Sequence, residues 1–382
     1  MQSYRLFILA GEASGDQHAG RLAAALHAQH AGLQMEGWGG EHMERAGVRV
    51  LKHYRELAFM GFIEVVKNLG TIWRNFKRAK KQILAFKPDV LVLVDYPGFN
   101  LRMAKWAHKK GIPVVYYISP QIWAWKAQRG YDIKKYVDSM LCILPFEPSF
   151  YERFEVNAIY TGHPLTEQVA DYLENNPGSQ LAAKQTIALL PGSRTQEIQA
   201  ILPVFLEVVR LNPDREFVVA MAPSQPVAVY AEIMESDAAL HGMLLSNVTL
   251  SDRGSYLILA GSEAALVASG TATLETALFK VPQIVCYKGS RVSYEIARRV
   301  IKVKYISLVN LILDRPFLTE LIQDACQAKR IDQCLKKLEE QVQLRYFENG
   351  YSELQALLRS DESPSQYAAR CILDFLHKRV IR

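Results

Sequence analysis

Along the chain, short and almost wholly apolar runs alternate with longer stretches in which apolar residues return every three or four positions. The short runs read as strands buried on both faces of a parallel sheet, and the longer stretches as helices that cover it. In the first half the runs fall at residues 6–10, 33–38, 48–51, 90–94, 114–118 and 140–144; in the second, at 187–190, 217–220, 249–251, 265–268 and 283–286. Turns rich in Gly, Pro, Ser and Asp close most of them. This predicts an α/β protein of two doubly wound domains, each opening with a strand, a tight turn and a helix. The pattern breaks at residues 160–164 (YTGHP), which sets the expected domains at 1–164 and 165–358. A polar linker at 359–365 leads into an amphipathic helix at 367–378, and this tail, 359–382, can reach back to the first domain.

The turns carry the candidate chemistry. In TIALLPGSRTQEI, residues 186–198, an apolar strand is broken by Pro191, Gly192 and Ser193, and Arg194 then opens a helix. Unpaired backbone N–H groups, a hydroxyl and a guanidinium at a helix N-terminus favour a bound anion, here a diphosphate. Plain N-capping would look the same. A second turn of the same kind, Ser269, Gly270 and Thr271, points to one nucleotide held between the two. Glu275 lies one helical turn beyond Thr271 and can accept two ribose hydroxyls, or serve only as an acid favoured by the helix dipole. In the first half, Glu12, Ser14, Asp16 and His18 follow strand 6–10, where a parallel sheet carries its active site. Capping by Ser14 or Asp16, with His18 on the surface, fits equally. Strand 90–94 ends in Asp95-Tyr96-Pro97-Gly98-Phe99-Asn100, and strand 114–118 in SPQIWAW, residues 119–125; both loops face one cleft on a parallel sheet. Asp95 suits a general base and also a turn-capping aspartate. The first turn is neither GxGxxG nor GxxxxGK[ST], and its serine is one place off GxSxG, so hydride, P-loop and serine-hydrolase chemistries lose support.

Composition changes this picture little. A chain of 382 residues suits two domains, and a formal charge of +6 favours anionic partners without implying nucleic acid. The five cysteines form no CxxC and have no His at metal spacing, so they read as reduced, mostly buried thiols, and no metal site is expected. No apolar run reaches the ~18 residues of a membrane span, and residues 6–10 are too short for a signal peptide. The expected location is the cytoplasm. One stretch, 57–81, sets apolar residues and Trp73 and Phe76 beside Lys67, Arg74, Lys77, Arg78, Lys80 and Lys81, as a membrane-surface element would. A core helix with a solvated basic face is the plainer alternative.

Eight strings in order, GEASGD at 11–16, MGFIEV at 60–65, DYPGFN at 95–100, SPQIWAW at 119–125, LPFE at 144–147, TGHPL at 161–165, LLPGSR at 189–194 and SGTATLE at 269–275, resemble the lipid-A-disaccharide synthase family. They span the chain to about residue 310, where Val309 stands in place of the family's usual proline before Asn310. The resemblance implies a GT-B glycosyltransferase, with two Rossmann-like domains facing a cleft and UDP-sugar bound to the C-terminal one. It implies transfer of diacylglucosamine from UDP-diacylglucosamine to diacylglucosamine 1-phosphate, with inversion, giving the lipid A disaccharide 1-phosphate and UDP, on the inner face of the inner membrane. No cofactor or metal is implied, and a homodimer is left open. Asp95 becomes the first candidate base, with Glu12 and His18 in reserve. Gly192, Ser193, Arg194, Ser269, Gly270, Thr271, Glu275 and Asn310 would bind the nucleotide. Ser14, Met60, Phe62, Asn100 and Trp123 would meet the acceptor. A nucleotide-sugar epimerase of the same architecture is the rival, and would need no lipid-facing stretch at 57–81.

Overall fold

In the computed structural model, residues 3–57, 69–177 and 186–380 are described, and they form two compact units. One comprises Met1–Pro164 with Ser360–Arg382, the other Leu165–Arg359. The first holds a seven-stranded sheet, all parallel, in the order β3-β2-β1-β4-β5-β6-β7. Its strands are β1 (Tyr4–Ala10), β2 (Leu33–Gly39), β3 (Arg49–His53), β4 (Val90–Val94), β5 (Val114–Tyr117), β6 (Ser139–Cys142) and β7 (Ala158–Tyr160). The chain winds outward from β1 in one direction and from β4 in the other. The change of direction lies between these two neighbours.

Alternate residues of β1 enter different cores, as a period of two requires. Leu6, Ile8 and Ala10 pack with Ala19, Leu22 and Ala23 of the helix Ala13–Gln29, whereas Phe7 and Leu9 pack with Trp38, Ile83 and Met103. The C-terminal helix Pro364–Val380 belongs to the first of these cores through Ala368, Ala369, Ile372, Leu373 and Leu376. Gln29 Nε2 also donates to the Gln366 carbonyl at 2.9 Å. The return of the tail to the N-terminal sheet, expected from its amphipathic pattern, is thus observed.

The second unit has six parallel strands in the order β10-β9-β8-β11-β12-β13. They are β8 (Thr186–Leu190), β9 (Glu216–Ala220), β10 (Val248–Ser251), β11 (Ser262–Ala268), β12 (Gln283–Tyr287) and β13 (Glu320–Ile322). Here the winding reverses between β8 and β11, which pair directly with Val267 opposite Leu190. The apolar pattern does not reveal β7 and β13: each has three residues and lies at a sheet edge, too short for any periodicity to show.

Candidate functional site

In an open parallel sheet, ligands bind beyond the carboxyl ends of the strands where the winding reverses. Each unit has such a point, and the turns singled out in the sequence lie on them. In the first unit, β1 runs into Gly11 and Glu12, and β4 into Asp95 and Tyr96. Gly11 has to be glycine, because a Cβ there would lie 2.3 Å from the Tyr96 ring. Asp95 and Tyr96 both adopt left-handed conformations, with φ of 46° and 49°. For residues other than glycine this costs on the order of 1–3 kcal/mol each and persists only where the surroundings enforce it.

Asn100 supplies much of that enforcement. It is fully buried, and Nδ2 donates to the carbonyls of Asp95 at 2.8 Å, Val94 at 3.1 Å and Leu9 at 3.4 Å. The Tyr116 hydroxyl donates to the Asp95 carbonyl at 2.6 Å. Asn100, expected on the acceptor, therefore has its amide donors turned into the protein, because the carbonyls where β1 and β4 end would otherwise be orphaned. Its effect is to fix the turn that carries Asp95. Asp16 is also structural: fully buried, it accepts from the backbone N–H groups of Gly40 (2.6 Å), His42 (3.1 Å) and Met43 (3.2 Å). It thus caps the turn after β2 and not its own helix, Ala13–Gln29, which has Glu12 before its first turn and no side-chain cap. Ser14 is exposed.

Electrostatics separates the candidate bases. Burial, reinforced by the nearby Glu12 carboxylate, pushes the Asp95 carboxyl up to about 6, against a hydrogen bond from the Tyr96 backbone. Burial, with the Arg21 charge second, lowers His18 to about 4, and His163 is lowered to about 3 by burial and by His18. At neutral pH His18 is uncharged and the weaker base. Asp95 is ionised and more basic than an ordinary carboxylate.

Asp95 also lines a cavity of about 220 Å³ with Ile118, Ser119, Gln121, Trp125 and Glu147, at the carboxyl ends of β4, β5 and β6. Glu147 was not assigned a role from the sequence, although the LPFE string contains it. Buried at the start of the helix Glu147–Glu152, it accepts from the Leu144 (2.9 Å) and Ile143 (3.2 Å) backbones and from Trp123 Nε1 at 3.1 Å. Burial raises its carboxyl to about 7. Ser119 shares a 2.8 Å hydrogen bond with the Tyr151 hydroxyl. The indole N–H of Trp123, expected at the acceptor, is thus spent on Glu147, and the pair ties the loop after β5 to the loop after β6.

In the second unit the two glycine turns leave neighbouring strands side by side. Gly192 has φ of 117°, and the helix Thr195–Leu211 starts behind it. Arg194 is largely exposed, at 72% of its side chain, and its guanidinium donates to Glu197 Oε1 at 3.1 Å. Glu197 Oε2 accepts from the backbone N–H groups of Ser193 (3.2 Å) and Arg194 (3.3 Å), so a carboxylate of the protein's own occupies donors a phosphate would use. Gln225, which the sequence did not signal, braces the turn by donating to the Ser193 carbonyl at 2.9 Å. At the second turn Gly270 has φ of 152° with open space beside it, and Ser269 Oγ donates to the Ile306 carbonyl at 2.8 Å. Glu275 sits half-buried on the following helix, Ala272–Leu278; burial raises its carboxyl to about 6 against a long 3.5 Å contact from the Tyr256 hydroxyl. Asn310, expected on the nucleotide, has its amide fully engaged: Nδ2 donates to Leu318 O and Glu320 Oε1, both at 2.9 Å, and Oδ1 accepts from the Leu318 N–H at 2.7 Å. It braces the loop beside Ser269. Val309 is buried in the helix Leu308–Leu313, which Ser307 caps.

Of the expected membrane stretch, residues 58–68, with Met60 and Phe62, lie outside the described residues. The helix Leu69–Phe86 buries Ala79, Ile83 and Phe86 and leaves Trp73 59% exposed, with Lys77 Nζ 3.5 Å from the centre of its ring. It is a core helix with a basic and aromatic outer face. No described helix is long and apolar enough to cross a membrane.

Solved structures match this architecture at low identity. The chain is similar to the kitacinnamycin glycotransferase, with a TM-score of 0.64, 11% identity and 98% of this chain and 99% of that one covered. It is also similar to the UDP-GlcNAc 2-epimerase of Neisseria meningitidis bound to UDP-GlcNAc, with a TM-score of 0.59, 14% identity and coverage of 98% and 100%. Fold alone thus accommodates transferases and epimerases. Sequence is more discriminating. Residues 6–372 match the family model for lipid-A-disaccharide synthetase. The lipid-A-disaccharide synthase of Myxococcus xanthus is 38% identical over 344 residues, with 87% of this chain and 88% of that protein covered. Lipid-A-disaccharide synthase 1 of Legionella pneumophila strain Paris is 35% identical over 97% of this chain and 95% of its own length. With a family match over nearly its whole length and two Rossmann-like sheets of the GT-B kind, the chain belongs to the lipid-A-disaccharide synthase family of glycosyltransferases.

Proposed function

We propose that the enzyme transfers diacylglucosamine, with inversion, from UDP-diacylglucosamine to diacylglucosamine 1-phosphate, releasing UDP. The observation that carries this reading is the Asp95 carboxyl, raised to about 6 by burial and the Glu12 charge, in a cavity at the carboxyl ends of β4, β5 and β6. Inversion needs the acceptor hydroxyl to lose its proton as it attacks the anomeric carbon. Asp95 is ionised at neutral pH and basic enough to take it. The cavity is lined by Asp95 and Glu147, by Ser119 and Gln121, and by Pro97, Ile118, Trp125, Ile143 and Leu144, a mixed polar and apolar surface that suits a neutral sugar ring.

The unit Leu165–Arg359 would hold the donor. Departing UDP gains negative charge, which the N–H groups at the two glycine turns and the Arg194 guanidinium would stabilise. Ribose hydroxyls would donate to Glu275, replacing solvent that burial has already taken from it. Gly192, Ser193, Ser269, Gly270 and Thr271 form the turns; Gln225 braces the first, and Asn310 braces the loop beside the second. No metal or cofactor enters this scheme. Glu12 would act on Asp95 through its charge, and His18, uncharged at pH 7, would be the weaker base.

Both substrates carry acyl chains and stay in a bilayer, since each buried CH2 contributes ~0.8 kcal/mol. The enzyme would therefore work on the inner face of the inner membrane, with residues 57–81 on anionic lipid. Homodimerisation is left open by this scheme. Incubating the purified protein with both lipid sugars tests it: disaccharide phosphate and UDP should appear together, and only when both substrates are present. UDP released from donor alone, or C2-epimerised donor, would contradict it.

A further inference from the structure

Residues 291–304 follow β12 at the carboxyl end of the second sheet, the end at which the glycine turns also lie. After β12 ends at Tyr287, Gly289 is clasped by Gln323, with N–H to Oε1 at 3.0 Å and Nε2 to the Gly289 carbonyl at 3.2 Å. On return, the Ile306 and Ser307 N–H groups donate to Glu320 at 3.0 and 2.9 Å, and the Ile306 carbonyl receives Ser269 Oγ. Both feet are therefore fixed. The helix between them, Arg291–Val300, has no buried residue among those whose side chains are described. The described side chains of this helix are thus turned to the surroundings of the unit.

Its chemistry selects the partner. Arg291, Arg298, Arg299, Lys302 and Lys304 face a single acid, Glu295, in the same segment. Arg298, Arg299 and Lys302 pair with no carboxylate among the described residues, and Arg291 and Lys304 meet only the exposed Asp324 (3.7 Å) and Asp314 (2.9 Å). Between these cations Val300 and Ile301 are each 44% exposed. A nucleic acid or an acidic protein surface would answer the charge and leave the aliphatic groups in water; an anionic bilayer answers both. We propose that residues 291–304 are a second bilayer-contact element, which lays the unit Leu165–Arg359 on an anionic lipid surface. The donor reading gives it a rationale, because UDP-diacylglucosamine is itself held in the bilayer. Two weak contacts on one chain then act as one strong one.

The test uses the full chain and no substrate, so it stands apart from the transfer reaction. Partition is measured by sedimentation with vesicles of phosphatidylcholine alone and with about a third phosphatidylglycerol. The triple variant Arg298→Gln, Arg299→Gln, Lys302→Gln should lose on the order of a hundredfold in partition to the anionic vesicles, from ~1 kcal/mol for each cation near the surface. The double variant Val300→Ser, Ile301→Ser should lose roughly tenfold on both kinds of vesicle. Unaltered partition of the triple variant overturns the proposal. So does a loss matched by a lower unfolding temperature, which would make the segment structural, or weakened heparin binding with vesicle partition intact, which would make it a polyanion site.

Discussion

The two sheet-reversal points share a topology and differ in what their turns present. Between β1 and β4 the turns bring together half-buried acids and an aromatic ring: Asp95 at about 6, Glu12 near enough to raise it, and Tyr96 over Gly11. Between β8 and β11 they present glycines in open backbone conformations, hydroxyls, helix N-termini and the exposed Arg194. One point is desolvated and raises the affinity of its carboxylate for a proton. The other is more open, and the protein's own Glu197 carboxylate holds the N–H groups and the guanidinium of its first turn. Parallel-sheet geometry fixes where chemistry can sit, and a few turn residues set what each point presents, which the proposed reaction would use for proton transfer at one and for anion binding at the other.

The largest expected effect that would break this contrast lies at the acidic point. Asp95→Asn should lower kcat by ~100- to 10,000-fold, roughly 3 to 5.5 kcal/mol, with UDP affinity unchanged. Steady-state rates beside calorimetric UDP titration check both halves. Asn tolerates the left-handed backbone at this position, so the variant should fold. It should gain stability, with a definite pH dependence. Asp95 is protonated in both states below about 4, but between there and its folded value of about 6 ionisation disfavours the folded state. Asparagine removes that penalty, so the melting temperature should rise above pH 6 and barely change below pH 4. The difference from 3.8 to about 6 sets an upper bound of ~3 kcal/mol.

Asp16, on the helix that follows β1, should behave oppositely. Asp16→Ala orphans three backbone donors at a fully buried site and should cost about 2–4 kcal/mol of stability in denaturant unfolding. A variant as stable as the wild type would return Asp16 to the list of reactive acids. At the second point, Arg194→Ala and Glu275→Gln should each weaken UDP binding about ten- to a hundredfold, from ~1.5 to 3 kcal/mol per charge-assisted hydrogen bond. Unchanged calorimetric affinity in both would dissolve the contrast. Because burial holds Glu275 at about 6, UDP affinity of the wild type should also weaken as pH falls below that value. The smallest effect concerns the outer face of the helix Leu69–Phe86. Charge reversal at Lys77, Arg78, Lys80 and Lys81 should lower vesicle sedimentation and make activity less dependent on anionic lipid, and an unaltered pellet would leave that face merely solvated.

Much of this was legible in the sequence. Apolar runs buried on both sheet faces announce themselves, and β4 is found at its full extent, Val90–Val94, because nothing polar interrupts it. The turns were legible because glycine, proline and acid follow such runs in a fixed order. What sequence could not reveal is which polar side chains turn inward. Asn100 and Asn310 look like ligand-binding groups, yet their amide N–H groups donate inward, to backbone carbonyls and, for Asn310, also to Glu320, groups that the folded sheets bring near them. Glu147 lay unread in LPFE because its partners, Trp123 and two backbone N–H groups, come from loops that meet only when β5 and β6 pair.

The most direct test is the pH dependence of kcat at saturating donor and acceptor, for the wild type and for Glu12→Gln. If Asp95 takes the acceptor proton, wild-type kcat falls tenfold per unit below about 6, since the base must be ionised. Removing the Glu12 charge should move that inflection to lower pH while leaving the plateau rate of the same order. A kcat flat from pH 5 to 8, or an inflection that does not move in Glu12→Gln, would place the base elsewhere.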